Sequence, residues 1–552
     1  MKKNIANIIM FQRGIGTPEF HSEKTMDRFS CCTSKQVELV KKYNLPVTWL
    51  LDYIAVCDSR FKDAIEQCDN CETGIWLEVT KPLLEKAGYK WQGRPGHAWE
   101  TGCNHSFTVG YTTKQREKII DVFMDDFKEV FGYYPKSVGA WIIDAYSMNY
   151  MYEKYGIEAS CICRDQWGTD GITLWGGYYG QGYYPSKNNV LSPAQTAQNQ
   201  IGVPVFRMLG SCPIYQYDNG LNIDDGPAAW QQVCTLEPSY YGENCEEYGG
   251  GGIPEWVDWF FGQNYRDDTL SFNYAHIGQE NYFGWKKQEA GTVDQFNKLK
   301  KLAGEGKVSL QLLSETAEQY KNSFALTPAT SITAEKDWKN RDVQSFWYNC
   351  KNYRVNLYKE NGFFWIRDLF LFDENYSERY REEVCRSKDV YFDNLPVIDG
   401  NRQSGKGVRA GIYPEIKQSD NKYVPLKGSA KAEYDYPEEK ITVKDSDTEF
   451  IIGISEDSLC IKCSKDFKLC FRTSPDVERF TLSNGRLYRT YNGYEYSFTL
   501  SDGAFSEETN EIYPENRTIV LNFSASDFER YYNITSNLKS SKPHVDKEKF
   551  KN

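Results

Sequence analysis

The chain has 552 residues, of which 40% are hydrophobic and 26% charged, and its net charge is −12. That length exceeds what one hydrophobic core serves, so two or three domains are expected, and the composition excludes global disorder. With 65 basic against 77 acidic residues and no lysine–arginine block inside the folded part, nucleic acid is excluded as a partner.

No stretch approaches a membrane span. The opening MKKNIANIIMFQRGIG has too brief an apolar run for a signal segment and reads as a first strand. The 16 cysteines are scattered, and without an export signal they are expected to be reduced thiols in the cytoplasm. Cys31-Cys32, Cys68-x-x-Cys71 and Cys460-x-x-Cys463 miss the ligand spacing of known zinc modules, so neither metal nor cofactor is expected. Aromatics make up 15% of the chain, with 40 Tyr and 14 Trp. That content suits stacking on sugar faces, and it equally suits tyrosine-rich sheets.

In chain order, Asn4 to Phe11 predicts strand one, running into Gln12, Arg13 and Gly14. A Thr33–Gln36 capping box predicts a helix that ends at Asn44. Val47 to Leu51 is strand two, ending at Asp52, and CETGIWLEV is strand three, carrying Glu72 and Glu78. A long irregular segment follows, GYKWQGRPGHAWETGCNHSFTVGY, with His97 and His105; loops of that length are functional or act as lids. Thr112 to Phe131 shows helical spacing and stops at Gly132.

Val138 to Ile143 is strand four and stops at Asp144. A helix closed by Gly156 leads to strand five, Ala159 to Cys163, which runs into Arg164 and Asp165. The segment 166–189, rich in glycine and aromatics, reads as a loop pinned by its rings. Val203 to Leu209 is strand six and contains Arg207. Leu270 to His276 is strand seven, followed by Glu280, and Val308 to Leu313 is the last strand. Strands alternating with helices predict a parallel (β/α) barrel of seven or eight strands over residues 1–327. Beyond Thr327-Pro328, period-two runs such as FFWIRDLFLF and EFIIGI, with Asn-Gly turns at Asn361, Asn484 and Asn492, predict antiparallel β-sandwich structure over 328–536. A charged flexible tail is expected at 537–552.

Ligands of such barrels bind where the strands end, and glycosidic hydrolysis needs two carboxyl groups flanking the bond. The candidate acids are Asp144, Asp165, Glu280, Glu78, Asp170 and Glu72. Gln12, Arg13, Arg164, Arg207, His97, His105 and His276 are candidates for contacts to hydroxyls, and Trp141, Trp167, Trp175 and Tyr178 for sugar-stacking walls. No phosphate-cradling GxxxxGK and no GxSxG elbow occurs, which removes support for phosphoryl transfer and serine hydrolysis.

WIIDAYSMNYMYEKYGIEAS resembles the strand-four motif of the α-mannosidases, in which W-x-I-D carries the nucleophilic aspartate. The first strand, PVTWLL and the ETG turn resemble the polysaccharide deacetylases. These families share with amylopullulanase-like hydrolases a seven-stranded barrel superfamily that often carries C-terminal β-sandwiches. The resemblance implies Asp144 as nucleophile; among the other strand-end acids, Glu280 or Asp165, then Glu78, is expected as acid/base. The Asp-Asp and HxxxH metal motifs of the deacetylases and the His-x-Asp pair of the mannosidases are missing. The expected activity is therefore metal-independent, retaining hydrolysis of oligosaccharides or glycoconjugates. A metal-dependent carbohydrate deacetylase and a non-catalytic sugar-binding protein are the alternatives. A homo-oligomer is left open.

Overall fold

The computed structural model describes residues 3–14, 22–162, 166–169, 172–174, 177–215, 221–222, 226–227, 234–239, 245–391, 393–483 and 485–523. Its first sheet is parallel: β1 (Asn4–Gln12), β2 (Val47–Leu51), β3 (Cys71–Trp76), β4 (Ser137–Ala140), β5 (Ala159–Ile162), β6 (Val205–Arg207), β7 (Asn273–Ile277) and β8 (Ser309–Gln311). Seven strands follow the order β7-β1-β2-β3-β4-β5-β6, and β8 pairs with the first half of β1. The path curls into a nearly closed barrel. Between β6 and β7 the gap is bridged by Gly210, whose N–H donates to the His276 carbonyl at 3.1 Å.

The principal helices outside this sheet are α1 (Glu23–Tyr43), α2 (Tyr53–Cys57), α3 (Thr113–Phe131), α4 (Ala145–Tyr155), α5 (Pro254–Asn264), α6 (Trp285–Gly304) and α7 (Leu313–Ser323). Start and stop signals act as expected in two of them. Thr112 and Gln115 form the capping box of α3, and Gly132 and Gly156 end α3 and α4 in the left-handed conformation, with φ of 84° and 71°.

Two expectations are corrected. Helix α1 starts at Glu23 behind the cap Ser22, well before Thr33 and Gln36. Those two residues lie mid-helix and grip Gln12: the Thr33 hydroxyl donates to Gln12 Oε1, and Gln12 Nε2 donates to Gln36 Oε1 at 2.9 Å. A polar pair spaced like a cap here ties the helix to the barrel. Strand four was expected to reach Ile143, but pairing stops at Ala140, and Trp141–Asp144 continues as a buried unpaired link.

Beyond Pro328 the chain is antiparallel. One sheet runs from Thr330–Ala334 through Phe363–Leu371 and Gly411–Lys417 to Phe467–Arg472 and beyond; a second runs from Ser429–Asp435 through Ser458–Cys463 to Thr481–Ser483. They share one core, in which Val355, Ile412 and Leu469 meet Ile441, Ile452 and Leu521. Asn361 and Asn492 take φ of 51° and 48° in their Asn-Gly turns. The outer face of the first sheet packs on the barrel: Trp347 stacks on Tyr179 at 3.8 Å and its indole N–H donates to Pro213 O. Asn484 and the tail at 537–552 lie outside the described residues. The described cysteines are free thiols.

Glu439 breaks the alternation of the second sheet. It occupies the inward stripe with Ile441 and Val443, is 2% exposed, and neither carboxyl oxygen has a hydrogen-bond partner. Burial pushes its pKa well above the usual carboxylate range, so the folded protein holds this proton more tightly than the unfolded chain does. Stability therefore falls as pH rises above the unfolded Glu value. Glu439→Met removes the unpaired group and should stabilise by about 1–3 kcal/mol at pH 7, a gain that shrinks toward pH 5. Urea denaturation at both pH values checks it, and a destabilised variant would contradict it.

Candidate active site

Three strands deliver one cluster to the mouth of the barrel. Strand β1 ends in Arg13, β3 is followed by Glu78, and β7 by Glu280. Arg13 Nη2 donates to Glu78 Oε2 at 2.7 Å and Nη1 to Glu280 Oε2 at 3.1 Å, with all three side chains at most 2% exposed. The guanidinium lies 4.1 Å over the Trp99 ring. Asn281 fixes the backbone beneath it, accepting from Arg13 N–H at 2.8 Å and donating to Arg13 O at 2.9 Å. Gly278 makes this approach feasible. Its φ is 128°, and a Cβ there would come within 2.1 Å of the Ile9 carbonyl.

Asp52, at the end of β2, joins the cluster electrostatically. Its carboxylate caps α2 through Ala55 N–H at 2.7 Å and accepts Gly14 N–H at 3.0 Å. Burial is the main reason that its pKa is pushed up to about 7; the Glu78 charge adds to this, while the two backbone donors and Arg13 oppose it. Around one cation, then, three carboxyl groups meet, and an extra proton has a natural place among them.

The wall beside Arg13 is aromatic. Phe11 stacks on Trp76 at 4.5 Å, and Trp141 stands edge-on to both, at 5.9 and 5.6 Å. The indole N–H groups of Trp76, Trp99 and Trp141 are buried without a hydrogen-bond partner. Unpaired donors of this kind cost stability unless an acceptor arrives to meet them.

The sequence candidates separate accordingly. Arg13, Glu78, Glu280 and Trp141 come together at the mouth. Asp144 is held elsewhere, as the cap of α4. It accepts from Ser147 N–H and Arg116 Nη1 at 2.9 Å each, from the Ser147 hydroxyl at 2.8 Å, and from Thr108 Oγ1. Four donors thus meet this carboxylate, which is 1% exposed.

His276 is a strut. Its Nδ1 accepts Leu209 N–H at 2.7 Å, so Nε2 carries the proton and donates to Ile9 O at 3.0 Å, and burial lowers its pKa to about 4. Glu72 lies at the opposite end of the barrel, accepting from Thr48, Ser137 and the N-terminus of α7 at Ser314. Gln12 points outward to α1, and Tyr178 is buried against Pro328 and Thr330. Arg207 lines a small cavity of about 20 Å³ with His276, room for one water. His97 and His105 flank Glu100 on the long loop. That carboxylate is held by Arg94 at 2.9 Å, and burial lowers the His105 pKa. Arg164, Asp165, Asp170 and Trp175 lie outside the described residues, and Trp167 is described only as part of the strand Gln166–Thr169. Among the described residues no three His, Cys, Asp or Glu side chains gather into a metal-binding set.

No family model and no curated protein matches the sequence. Among solved structures, a candidate glycoside hydrolase/deacetylase of Parabacteroides distasonis superposes with a TM-score of 0.51 at 14% identity, over 71% of this chain and 91% of that one. A candidate polysaccharide deacetylase of Mycobacterium smegmatis gives 0.35 at 13% identity, over 58% of this chain and 92% of its own. A GH57 branching enzyme of Thermococcus kodakaraensis gives 0.29 at 11%, over 58% and 72%. The first of these carries the likeness: the chain shares its fold, here a parallel barrel followed by an antiparallel β-sandwich region.

The pairing of Asp144 has a measurable consequence. Asp144→Asn strips a buried arginine of its carboxylate and should destabilise the protein by about 3–5 kcal/mol. Urea denaturation measures this, and a loss below about 1 kcal/mol would show that the pair is dispensable.

Proposed function

We propose that the chain is a carbohydrate-active hydrolase that cleaves glycosidic bonds at the Arg13–Glu78–Glu280 cluster without a metal. The observation that supports this most is the convergence of two glutamates, from opposite sides of β1, on one buried guanidinium beneath Trp99. Both carboxylates contact one planar fork, Glu78 through Nη2 and Glu280 through Nη1, and glycosidic hydrolysis uses such a pair of carboxyl groups.

The two glutamates take different roles. Glu78 has the shorter contact to Arg13, which favours its ionised form, and it acts as nucleophile or base. Glu280, held more loosely at 3.1 Å, is the acid of the pair: it takes up a proton when bound substrate loosens its contact to Arg13 and gives that proton to the leaving oxygen. Asp52, with its pKa near 7, is a nearby proton reservoir in the range general acid–base chemistry uses. The unpaired indole N–H groups of the aromatic wall offer donors to sugar hydroxyls.

A panel of nitrophenyl glycosides and oligosaccharides, assayed before and after exhaustive chelation, tests the reading. Release of reducing sugar that survives chelation is expected. Release of acetate from acetylated sugars, lost on chelation and restored by zinc, would replace this reading with a deacetylase.

A further inference from the structure

The sandwich carries a second cavity, of about 500 Å³, between strands Gly411–Lys417 and Phe467–Arg472 of one sheet and Arg486–Tyr491 of the other. That volume suits a small ligand. In a chain of net charge −12, its wall holds Arg409, Arg472, Arg479 and Arg489 against a single acid, Glu478.

Each inner arginine lies on an aromatic ring. Arg472 lies 4.3 Å over Tyr413, Arg489 4.0 Å over Phe480, and Arg409 5.3 Å over Trp365, which itself stacks on Tyr413. Stacking fixes the guanidinium planes.

Three of these cations are partly neutralised: Arg472 by Glu415 at 2.8 Å, Arg409 by Glu360 at 2.6 Å, and Arg479 by Glu508 at 3.4 Å. Arg489 is bonded differently. Its Nη groups donate to the carbonyls of Pro396 at 3.3 Å and Glu478 at 2.6 Å, and its buried Nε–H has no partner. Carbonyls do not cancel a full positive charge, so Arg489 keeps its charge available to an anion.

We propose that this cavity is a binding site for a saccharide bearing a carboxylate, with Arg489 and Arg472 taking the carboxylate. The saccharide half of the inference rests on reading the barrel as carbohydrate-active, whereas the anion half rests on the arginines alone.

Calorimetric titration of the full chain with trigalacturonate, with neutral maltotriose and with phosphate tests it. The Glu280→Gln protein is used, so that hydrolysis at the barrel consumes no ligand and failure of the barrel reading appears separately, as unchanged turnover in that variant. Trigalacturonate should bind, maltotriose and phosphate should bind at least about tenfold more weakly, and Arg489→Gln should weaken trigalacturonate about tenfold or more. Arg489 also ties two backbone carbonyls, so Arg472→Gln, at a side chain 42% exposed, serves as a second variant with the same expected loss. Equal binding of the acidic and neutral sugars, phosphate binding as well as trigalacturonate, or unchanged affinity in both variants would overturn the proposal.

Discussion

The barrel mouth is organised by one buried cation. A guanidinium out of water is tolerated only when nearly every donor is met and its charge is balanced, and at Arg13 this is done by carboxylates from two strands and by the Trp99 face. The demand reaches into the backbone, since Asn281 must clamp the end of β1 and Gly278 must let β7 pass close to it. A carboxylate more than the cation requires then remains, and the Glu78 charge adds to the burial that chiefly raises the Asp52 pKa. The arrangement that folds the mouth thus also leaves a proton there to be moved.

Asp144 belongs to a second, mechanically distinct cluster. Its partner Arg116 also donates to carbonyls at Tyr111 and Glu383, the latter in the sandwich region. Glu378 reaches the same helix end from that region, accepting Ala145 N–H at 2.7 Å and Val190 N–H at 2.9 Å. Burial, with the Asp144 charge adding to it, pushes its pKa up to about 8. Two carboxyl groups at one helix N-terminus join the sandwich to the barrel through the dipole of α4 and its free amides. A residue serving that joint is poorly placed to leave it for chemistry.

The barrel order and the antiparallel second half were legible because they rest on local periodicity. Short apolar strands, helical spacing and left-handed glycine caps at Gly132 and Gly156 need no knowledge of distant partners. Glu78, Glu280 and Arg13 were legible as strand-terminal residues. What the sequence does not show is which side of the strand end each faces. Gln12 and Arg13 are neighbours, yet one turns to α1 and the other to the mouth, as alternation requires. Asp144 sits in the most motif-like stretch of the chain, but its saturation depends on Arg116 and Thr108, whose proximity no spacing announces. Asp52 and Trp99 were missed as site residues for the same reason: one reads as a plain helix cap, the other as one tryptophan in a long loop. His276 looked like a site histidine because it follows a barrel strand, and only its two backbone partners reveal a strut.

The central claim is that chemistry occurs at Glu78 and Glu280 and that the Asp144 cluster is structural. Turnover per folded molecule, measured for Glu78→Gln, Glu280→Gln and Asp144→Asn on the substrate that the wild-type protein cleaves best, tests it directly. The account predicts losses of about a thousandfold in the two glutamate variants, within the range that general acid–base help contributes, and near-normal turnover in the folded fraction of Asp144→Asn. Near-normal turnover in both glutamate variants, with activity abolished in folded Asp144→Asn, would contradict it.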